Sequence, residues 1–217
     1  MTVSLKTFGR LTRLYQLLEF IAFGNSLAKA RMAFIQKLKT SQKILILGEG
    51  DGRFLLKLRK QNPTAHIDCI DLSEKMLTKA KERLKSHNER NLENLHFRQV
   101  DIRDVSLPED TYDTIVTLFF LDCFNQNSSE KIISKIVQSL RPGGYWYWAD
   151  FRQPSKGWKA LRARIWLAVL YHFFRWQTNI EATHIVPTET ILKQNQLTPL
   201  KSITRQAGLI RSTLFQK

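Results

Sequence analysis

The chain has 217 residues, of which 43% are hydrophobic and 24% are charged. This composition excludes collagen-like, low-complexity and disordered proteins, because the chain contains enough apolar side chains to bury a core. Lysine and arginine number 34 against 19 acidic residues, which gives a net charge of +15. Such an excess repels itself and favours an acidic partner.

Cysteine content and apolar runs indicate the compartment. Cys69 and Cys123 are the only cysteines, too few for a disulfide framework and not spaced as zinc ligands, and the five histidines show no metal spacing either. The amino terminus lacks a signal-peptide pattern. The apolar run Ile165–Phe174 has ten residues, whereas about 18 are needed to span a bilayer. We therefore predict a cytoplasmic protein without a metal, soluble or in peripheral contact with a membrane.

The basic charge lies in the flanks of the chain. Residues 1–43 contain eight basic and one acidic residue, and residues 152–180 contain six basic and none acidic. The central part, residues 44–151, is nearly neutral, with 15 basic and 16 acidic residues. An acidic partner would therefore meet the flanks rather than the centre.

Helices and strands are predicted in a regular order. Apolar spacing predicts a first helix at Leu11–Ala22 and a second from Asn25 or Ser26 to about Leu38. From there, strands and helices alternate. Strands are predicted at Ile44–Leu47, His66–Ile70, Leu95–Val100, Tyr112–Leu118 and Tyr145–Ala149, and helices at Phe54–Leu58, Ser73–His87 (capped by Ser73), Ser129–Leu140 and Thr188–Asn195.

The end of the chain differs from this alternation. Pro142-Gly143-Gly144 reads as a turn into the fifth strand, and Leu200–Arg205 and Leu209–Phe215 read as an antiparallel hairpin around Gln206-Ala207-Gly208. The whole predicts a doubly wound α/β fold with a mostly parallel sheet closed by a hairpin. Ligands of such folds bind at the carboxyl ends of the strands.

A glycine-rich turn follows the first predicted strand. Gly48, Gly50 and Gly52 alternate directly after it, which permits a tight turn and close approach of a ligand to the backbone. A plain strand-to-helix turn is the alternative. The dinucleotide fingerprint G-x-G-x-x-G is not met, which argues against a nicotinamide-dependent dehydrogenase, and no G-K-[ST] indicates a nucleoside triphosphatase.

Acidic residues end the second and third predicted strands. Asp71 follows Gly52 by 19 residues and could accept hydrogen bonds from both hydroxyls of a ribose, although a helix cap or surface charge is the alternative. Asp101, between Val100 and Ile102, suits the amino edge of an adenine, and an ordinary turn aspartate is the alternative. These strand ends are expected to converge on one crevice.

These residues resemble the class I S-adenosylmethionine-dependent methyltransferases. The resemblance covers about residues 43–151, through the segments ILILGEGDGRFL, CIDLSEKML, FRQVDI, YDTIVTLFFLDCF and LRPGGYWYWADF. It implies a seven-stranded Rossmann-like sheet, to which the pattern of the flanking residues adds amino-terminal helices and an inserted helical lid. It also implies S-adenosylmethionine as the cofactor.

The resemblance assigns roles to individual residues. Gly48, Glu49, Gly50 and Gly52 would hold the methionine part of the cofactor. Asp71 would hold the ribose with Leu72 and Met76 nearby, and Asp101 with Ile102 would contact the adenine. The family often has an acid two residues before the first glycine, where this chain has Ile46. Glu49 or Asp51 is therefore expected to balance the methionine ammonium instead.

Residues that would act on the methyl acceptor are less evident. A sulfonium is already electrophilic, so a general base is optional. Asp122, just past the fourth strand, is the best-placed catalytic residue, and a cap of the next helix is its alternative role. Tyr15, Arg31, Tyr171 and His184 are candidate substrate contacts.

The insertion at residues 152–180 is basic and aromatic. Its tryptophans and phenylalanines with a cationic edge are typical of a helix at a membrane interface, and a buried lid is the alternative. We expect one methyltransferase domain with amino-terminal helices at 1–42, a cofactor-binding core at 43–151, this insertion, and a final helix and hairpin at 181–217.

The sequence therefore favours methyl transfer by in-line displacement to a small or amphiphilic acceptor, lipid-like or quinone-like, with anionic membrane as a peripheral partner. An RNA or protein methyltransferase is the first alternative, because a basic protein also suits phosphate backbones. A relative of the aminopropyltransferases is the second, although the basic flanks would repel a polycationic acceptor. A protein that binds the cofactor without catalysis is the third.

Overall fold

A computed structural model describes residues 25–87, 92–152 and 186–217 of the chain. It contains a seven-stranded sheet in the order β3-β2-β1-β4-β5-β7-β6. β7 is antiparallel to β5 and β6, and the other neighbouring pairs are parallel. This confirms the predicted sheet and its closing hairpin. The strands are β1 (Lys43–Leu47), β2 (His66–Asp71), β3 (Leu95–Gln99), β4 (Tyr112–Leu118), β5 (Leu140–Phe151), β6 (Thr198–Arg205) and β7 (Ile210–Gln216).

Helices cover both faces of the sheet. Leu45 and Leu47 of β1 contribute to the core on one face and Ile44 and Ile46 to the core on the other, which explains why this strand is apolar throughout. The first core includes the helices Gln126–Ser139 and Thr188–Gln194, and the second includes the helices Arg53–Gln61 and Glu74–Ser86. The doubly wound arrangement is thus confirmed. The helices are α1 (Ser26–Arg31), α2 (Arg53–Gln61), α3 (Glu74–Ser86), α4 (Gln126–Ser139) and α5 (Thr188–Gln194), with 3-10 turns at Ile35–Leu38, Leu121–Cys123 and Gln206–Gly208.

Side-chain caps fix where two helices begin. The Ser73 hydroxyl accepts a hydrogen bond from the Met76 amide at 3.4 Å, which confirms the predicted cap of α3. α4 starts at Gln126 rather than at Ser129, because the Asn125 side chain accepts a hydrogen bond from the Ser128 amide at 3.0 Å. Asn125 therefore takes the capping role that was the alternative for Asp122.

The second predicted helix is wrong in its extent, because α1 ends at Arg31 rather than near Leu38. The hydroxyls of Tyr147 and Ser212 both donate to the carbonyl oxygen of Ala30. A longer helix would use that oxygen for its own i to i+4 hydrogen bond. The chain turns instead, and Phe34 packs against Tyr147 of the sheet with ring centroids 5.5 Å apart.

The fifth strand begins at Leu140 and includes the predicted turn Pro142-Gly143-Gly144 as an irregular segment. Gly143 adopts a φ of +76°, and its amide donates to the carbonyl of Lys217 at 3.0 Å, while the Lys217 amide donates to Gly144 at 3.1 Å. The register with β4 shifts here, because Tyr112 pairs with Leu140 but Thr114 pairs with Tyr145. The bounds of the strand therefore differ from the prediction, and the turn-like irregularity lies where it was predicted.

Replacing Gly52 by alanine should destabilise the fold strongly. The added Cβ would lie 2.6 Å from the Ala80 Cα in a residue with a φ of +81°. We expect the free energy of unfolding in urea to fall by about 2 kcal/mol or more. Gly143→Ala is the matched control, since its φ is +76° but nothing lies within 4 Å of its Cβ, and it should cost only about 1 kcal/mol. Equal losses would contradict this packing argument.

Candidate functional site

The candidate site lies at the carboxyl ends of β1, β2 and β4, around the turn from β1 into α2. Gly48 and Gly50 in this turn have φ values of +68° and +72°. A Cβ on Gly48 would lie 2.5 Å from the Phe120 ring, whereas a Cβ on Gly50 would meet nothing within 4 Å. Packing therefore requires Gly48, and open space remains beside the backbone of Gly50.

Glu49 lies between these glycines, and only one of its two carboxyl oxygens has a hydrogen-bond partner. Its Oε1 accepts a hydrogen bond from the Leu55 amide at 2.9 Å in the first turn of α2. Its Oε2 is buried and has no hydrogen-bond partner. Burial raises the pKa of Glu49 to about 8, with Asp51 and Asp71 acting in the same direction and the Leu55 amide and Arg31 opposing them. This oxygen is an acceptor directed at no group of the described protein.

Asp51, the other acid of the turn, is neutralised by the protein. Arg53 contacts its Oδ2 at 2.9 Å and Arg83 contacts it at 3.2 Å. Arg83 also donates to the Asp51 carbonyl at 2.7 Å. Of the two acids expected to balance the methionine ammonium, Glu49 is therefore the one with an oxygen available.

Asp71 joins the end of β2 to the glycine turn. Its Oδ2 accepts from the Gly50 amide at 3.3 Å and its Oδ1 from the Ser73 amide at 2.8 Å. Burial raises its pKa, and these two amides oppose the rise. The next residue, Leu72, leaves 62% of its surface exposed, and Met76 is half-buried in α3. An exposed leucine beside a carboxylate offers an apolar surface for a flat ligand.

The loop after β3 is held by two charged side chains that the sequence reasoning did not assign. Arg103 donates to both carboxylate oxygens of Asp101, and this hydrogen bonding lowers the pKa of Asp101. The Lys135 ammonium donates to the carbonyls of Ile102, Arg103 and Val105. The Ile102 side chain is 3% exposed and packs in the core. The adenine contacts of Asp101 and Ile102 stay predictions.

The end of β4 brings aromatic and charged side chains to the same edge. Phe119 has a φ of +58°, an unusual value for a bulky residue. The Arg31 guanidinium lies 4.9 Å from the Phe119 ring centroid. Its charge lowers the pKa of Glu49 and of Asp122, whereas burial raises both. The structure thus brings Arg31 and Asp122 together with the glycine turn.

Some predicted site residues fall outside the described part of the chain. These are Tyr15, Tyr171 and His184, together with the helical insertion apart from Arg152. Among the described residues, no helix is long and apolar enough to cross a membrane. The same residues form no cluster of three or more side chains that could hold a metal ion.

The described site fits a ligand with an ammonium group and a ribose. Glu49 Oε2 is a buried acceptor that lacks a donor, and the open space at Gly50 admits a group close to the backbone. Carboxylate oxygens with one backbone donor each retain lone pairs for ribose hydroxyls. S-adenosylmethionine carries an ammonium, a ribose and a flat adenine.

Comparison with known proteins identifies the domain. Residues 44–144 match the family described as "Methyltransferase domain". The chain is similar over 90% of its length to the crystal structure of N-methyltransferase NodS from Bradyrhizobium japonicum WM9 in complex with S-adenosyl-L-homocysteine, with a TM-score of 0.62 at 18% identity and 88% of that chain covered. This part of the chain matches a methyltransferase domain, and the chain has the fold of a solved methyltransferase.

Two curated relatives are similar to parts of this methyltransferase chain. A phosphatidylethanolamine N-methyltransferase of Cereibacter sphaeroides is 30% identical over 103 residues, 47% of each chain. A demethylmenaquinone methyltransferase of Leptospira interrogans is 29% identical over 130 residues, 60% of this chain and 49% of that protein. The chain thus spans about half the length of the curated relatives it matches. S-adenosylmethionine is the cofactor of this family, in agreement with the prediction.

Glu49→Gln should stabilise the methyltransferase domain at high pH. The folded chain keeps a proton on Glu49 up to about pH 8, whereas the unfolded chain loses it near 4.5. Stability of the wild type therefore falls as pH rises between these values, and glutamine removes the effect while still accepting from Leu55. We expect the Tm advantage of the variant, measured by scanning fluorimetry, to grow from pH 5 to pH 8. A constant advantage, or the same trend in the exposed control Glu82→Gln, would contradict this.

Proposed function

We propose that this chain transfers the methyl group of S-adenosylmethionine to a small or amphiphilic acceptor, lipid-like or quinone-like. The observation that carries the proposal is the pairing of the unpartnered oxygen of Glu49 with the open space at Gly50. When bound, the cofactor supplies a sulfonium-activated methyl group. The protein would bind the cofactor and the acceptor, orient them and exclude water.

Each part of the cofactor finds a complementary group at the edge of the sheet. Glu49 Oε2 would accept from the ammonium, which replaces the missing donor and favours the charged carboxylate. Asp71 would accept from the ribose hydroxyls while its own amide partners fix its position. Leu72 would cover one face of the adenine, and Asp101 would face its amino edge. Holding the acceptor in line with the methyl group lowers the activation barrier by about 7 kcal/mol or more through positioning alone.

The amphiphilic acceptor is supported by charge and by the relatives. The central residues 44–151 are nearly neutral, so the net charge of +15 comes from the flanks. Basic residues near an anionic lipid surface contribute about 1 kcal/mol each. One relative is named for phosphatidylethanolamine and another for demethylmenaquinone. Both names describe acceptors that reside in membranes.

The alternatives make different demands on this site. An RNA methyltransferase would use the same cationic flanks on phosphates, and a protein methyltransferase would need an acidic or extended peptide beside them. An aminopropyltransferase would bind a polycation, which Arg31 beside the site opposes. A protein that binds the cofactor without catalysis would show binding and no turnover. The four-part domain organisation proposed from the sequence is compatible with each of these.

Asp71→Asn should weaken binding of S-adenosyl-L-homocysteine. Asparagine replaces one accepting oxygen by an NH₂ donor beside the Gly50 amide and the ribose. Hydrogen bonds to a charged group contribute about 1.5–3 kcal/mol, so we expect the Kd to rise at least tenfold in titration calorimetry. Asp68→Asn on the same strand is the matched control, because Asp68 contacts Tyr112 and His96 instead. No measurable binding by the wild type would reject the proposed function.

An acceptor panel tests the substrate class. The protein is incubated with methyl-labelled cofactor and, separately, with phosphatidylethanolamine in phosphatidylglycerol-containing vesicles, demethylmenaquinol in micelles, transfer RNA and an acidic protein. We expect label in a membrane acceptor, and faster labelling of phosphatidylethanolamine as the phosphatidylglycerol content increases. Label in RNA or protein alone would reject the amphiphilic acceptor and leave the methyltransferase assignment intact.

A further inference from the structure

Two carboxyl groups lie together at the edge of the sheet that carries the candidate site. Asp122 lies in the 3-10 turn Leu121–Cys123 just after β4 and is partly exposed. Asp150 lies near the end of β5 and is 1% exposed. β4 and β5 are paired neighbours, with Leu118 opposite Ala149, so both acids reach the same edge. They lie within hydrogen-bonding reach of each other.

The hydrogen bonds of Asp150 are incomplete. Its Oδ1 accepts from the Phe151 amide at 2.9 Å. Its Oδ2 is buried and has no donor. Two ionised carboxylates side by side in a buried place repel each other, and a proton on one of them turns that repulsion into a hydrogen bond. A proton that the two acids share would give this oxygen a partner, beside the Trp148 indole, which also interacts with Asp150.

The surroundings decide which acid keeps the proton. Burial raises the pKa of both acids, and the Asp122 charge raises that of Asp150 further. The Cys123 thiol donates to Asp122 Oδ1 at 3.7 Å. This thiol, the Arg31 charge and a hydrogen bond from Asp150 all favour the ionised form of Asp122. For Asp150, the amides of Phe151 and Asp122 and the Trp148 indole act in the same direction but do not cancel burial. The proton therefore stays on Asp150.

Asp122 also lies on the methionine side of the proposed cofactor site. Phe120, two residues before it, packs against Gly48 of the glycine turn. Arg31 interacts electrostatically with both Glu49 and Asp122. Because Glu49 is the proposed partner of the methionine ammonium, Asp122 lies near the end of the cofactor from which a methyl group would leave.

We propose that Asp122 accepts the proton that the methyl acceptor releases, and that Asp150 acts as a positioning residue by keeping its own proton and donating it in a hydrogen bond to Asp122. This inference rests on the proposed function and narrows the acceptor class. The acceptor carries a proton on, or conjugated with, the atom that receives the methyl group, as an ammonium, a phenol or a hydroquinone does.

The proton transfer balances in charge. The bond between the acceptor and its proton breaks, and its electron pair stays on the acceptor for the new bond to the methyl carbon. The carbon–sulfur bond to that methyl group would break in the same step, and its electron pair would leave with the sulfur as a neutral thioether. The proton joins Asp122, and the pair changes from one proton and a charge of minus one to two protons and no charge. Solvent takes the extra proton after product leaves. The exposed part of Asp122 provides that route, while Asp150 stays behind it.

Side-chain carboxyl titration by ¹³C NMR, with S-adenosyl-L-homocysteine present, tests the pair without any turnover. In the wild type we expect two coupled titrations, one of them well above the usual range of aspartate. Asp150→Leu should move the Asp122 titration to higher pH, because the hydrogen-bond donor to Asp122 is gone, whereas Asp150→Asn should leave it nearly in place, because the amide still donates. Asp122→Asn should lower the titration of Asp150, because the neighbouring charge is gone, which gives a second test should Asp150→Leu fold poorly. Unchanged titrations in Asp150→Leu and in Asp122→Asn would overturn the proposal.

Rates measured with phosphatidylethanolamine and with demethylmenaquinol test the catalytic assignment. Asp122→Asn should lower kcat by about 10²–10⁴-fold with an unchanged Kd for S-adenosyl-L-homocysteine, and the loss should shrink as pH rises and the acceptor ionises by itself. Asp150→Leu should shift the acidic limb of kcat/KM to higher pH and lower kcat, and Asp150→Asn should leave the acidic limb nearly in place. Asp113→Asn, a buried acid at the other end of β4, should leave the pH profile unmoved.

The two hypotheses fail in different ways. If S-adenosyl-L-homocysteine does not bind, the proposed function is rejected. The carboxyl titrations in the free protein still report on the pair of Asp122 and Asp150. Turnover with an unshifted pH profile in Asp150→Leu, or full activity in Asp122→Asn, rejects the proton-acceptor role and leaves the methyltransferase assignment in place. Activity on only one of the two acceptors tells which protic group the site receives.

Discussion

The turn from β1 into α2 holds a carboxyl group of which only one oxygen has a hydrogen-bond donor from the protein. Glu49 fixes the first turn of α2 through the Leu55 amide, and the same residue leaves a buried oxygen without a donor. Burying such an oxygen costs stability, and a ligand cation at the proposed site would remove that cost. The position of the glycine turn, and through it the rest of the site, depends on this contact.

Neighbouring loops are tied to that turn by short-range contacts. Asp71 accepts from the Gly50 amide, so the end of β2 and the glycine turn cannot move independently. Phe120 fills the space that a side chain on Gly48 would need, which joins the end of β4 to the same turn. The loop after β3 is held separately by Lys135, through three carbonyl oxygens. The sheet therefore presents a site assembled from the ends of several strands, as expected of parallel α/β sheets.

Charge is distributed unevenly along that edge. Glu49, Asp122 and Asp150 all lie where burial disfavours ionisation, and Arg31 from α1 partly offsets the charge of the first two. α1 reaches this place because its last turn is anchored to the sheet by the hydroxyls of Tyr147 and Ser212. A helix that continued to Leu38 would have used the Ala30 carbonyl internally and would have lost that anchor.

Local signals in the sequence predicted most of the sheet. The apolar run of β1, the Ser73 cap and the hairpin at the end of the chain depend on neighbouring residues, so they were predicted close to their observed bounds. The glycine spacing and Asp71 marked the site, because a residue at a strand end has a fixed place in a parallel sheet.

Contacts between distant residues decided the rest, and no local pattern reports them. Arg53 and Arg83 neutralise Asp51 and thereby distinguish it from Glu49, although both acids stand in the same five-residue turn. Asp150 lies near the end of an aromatic strand, and no motif in the sequence marks it. Only the pairing of β4 with β5 brings it to Asp122. The sequence by itself determined the order of the elements and predicted a ligand crevice at the carboxyl ends of the strands, since these follow from periodicity and turn chemistry. The tertiary structure alone decided which carboxyl groups are left without partners, because burial and hydrogen bonding depend on what packs against them.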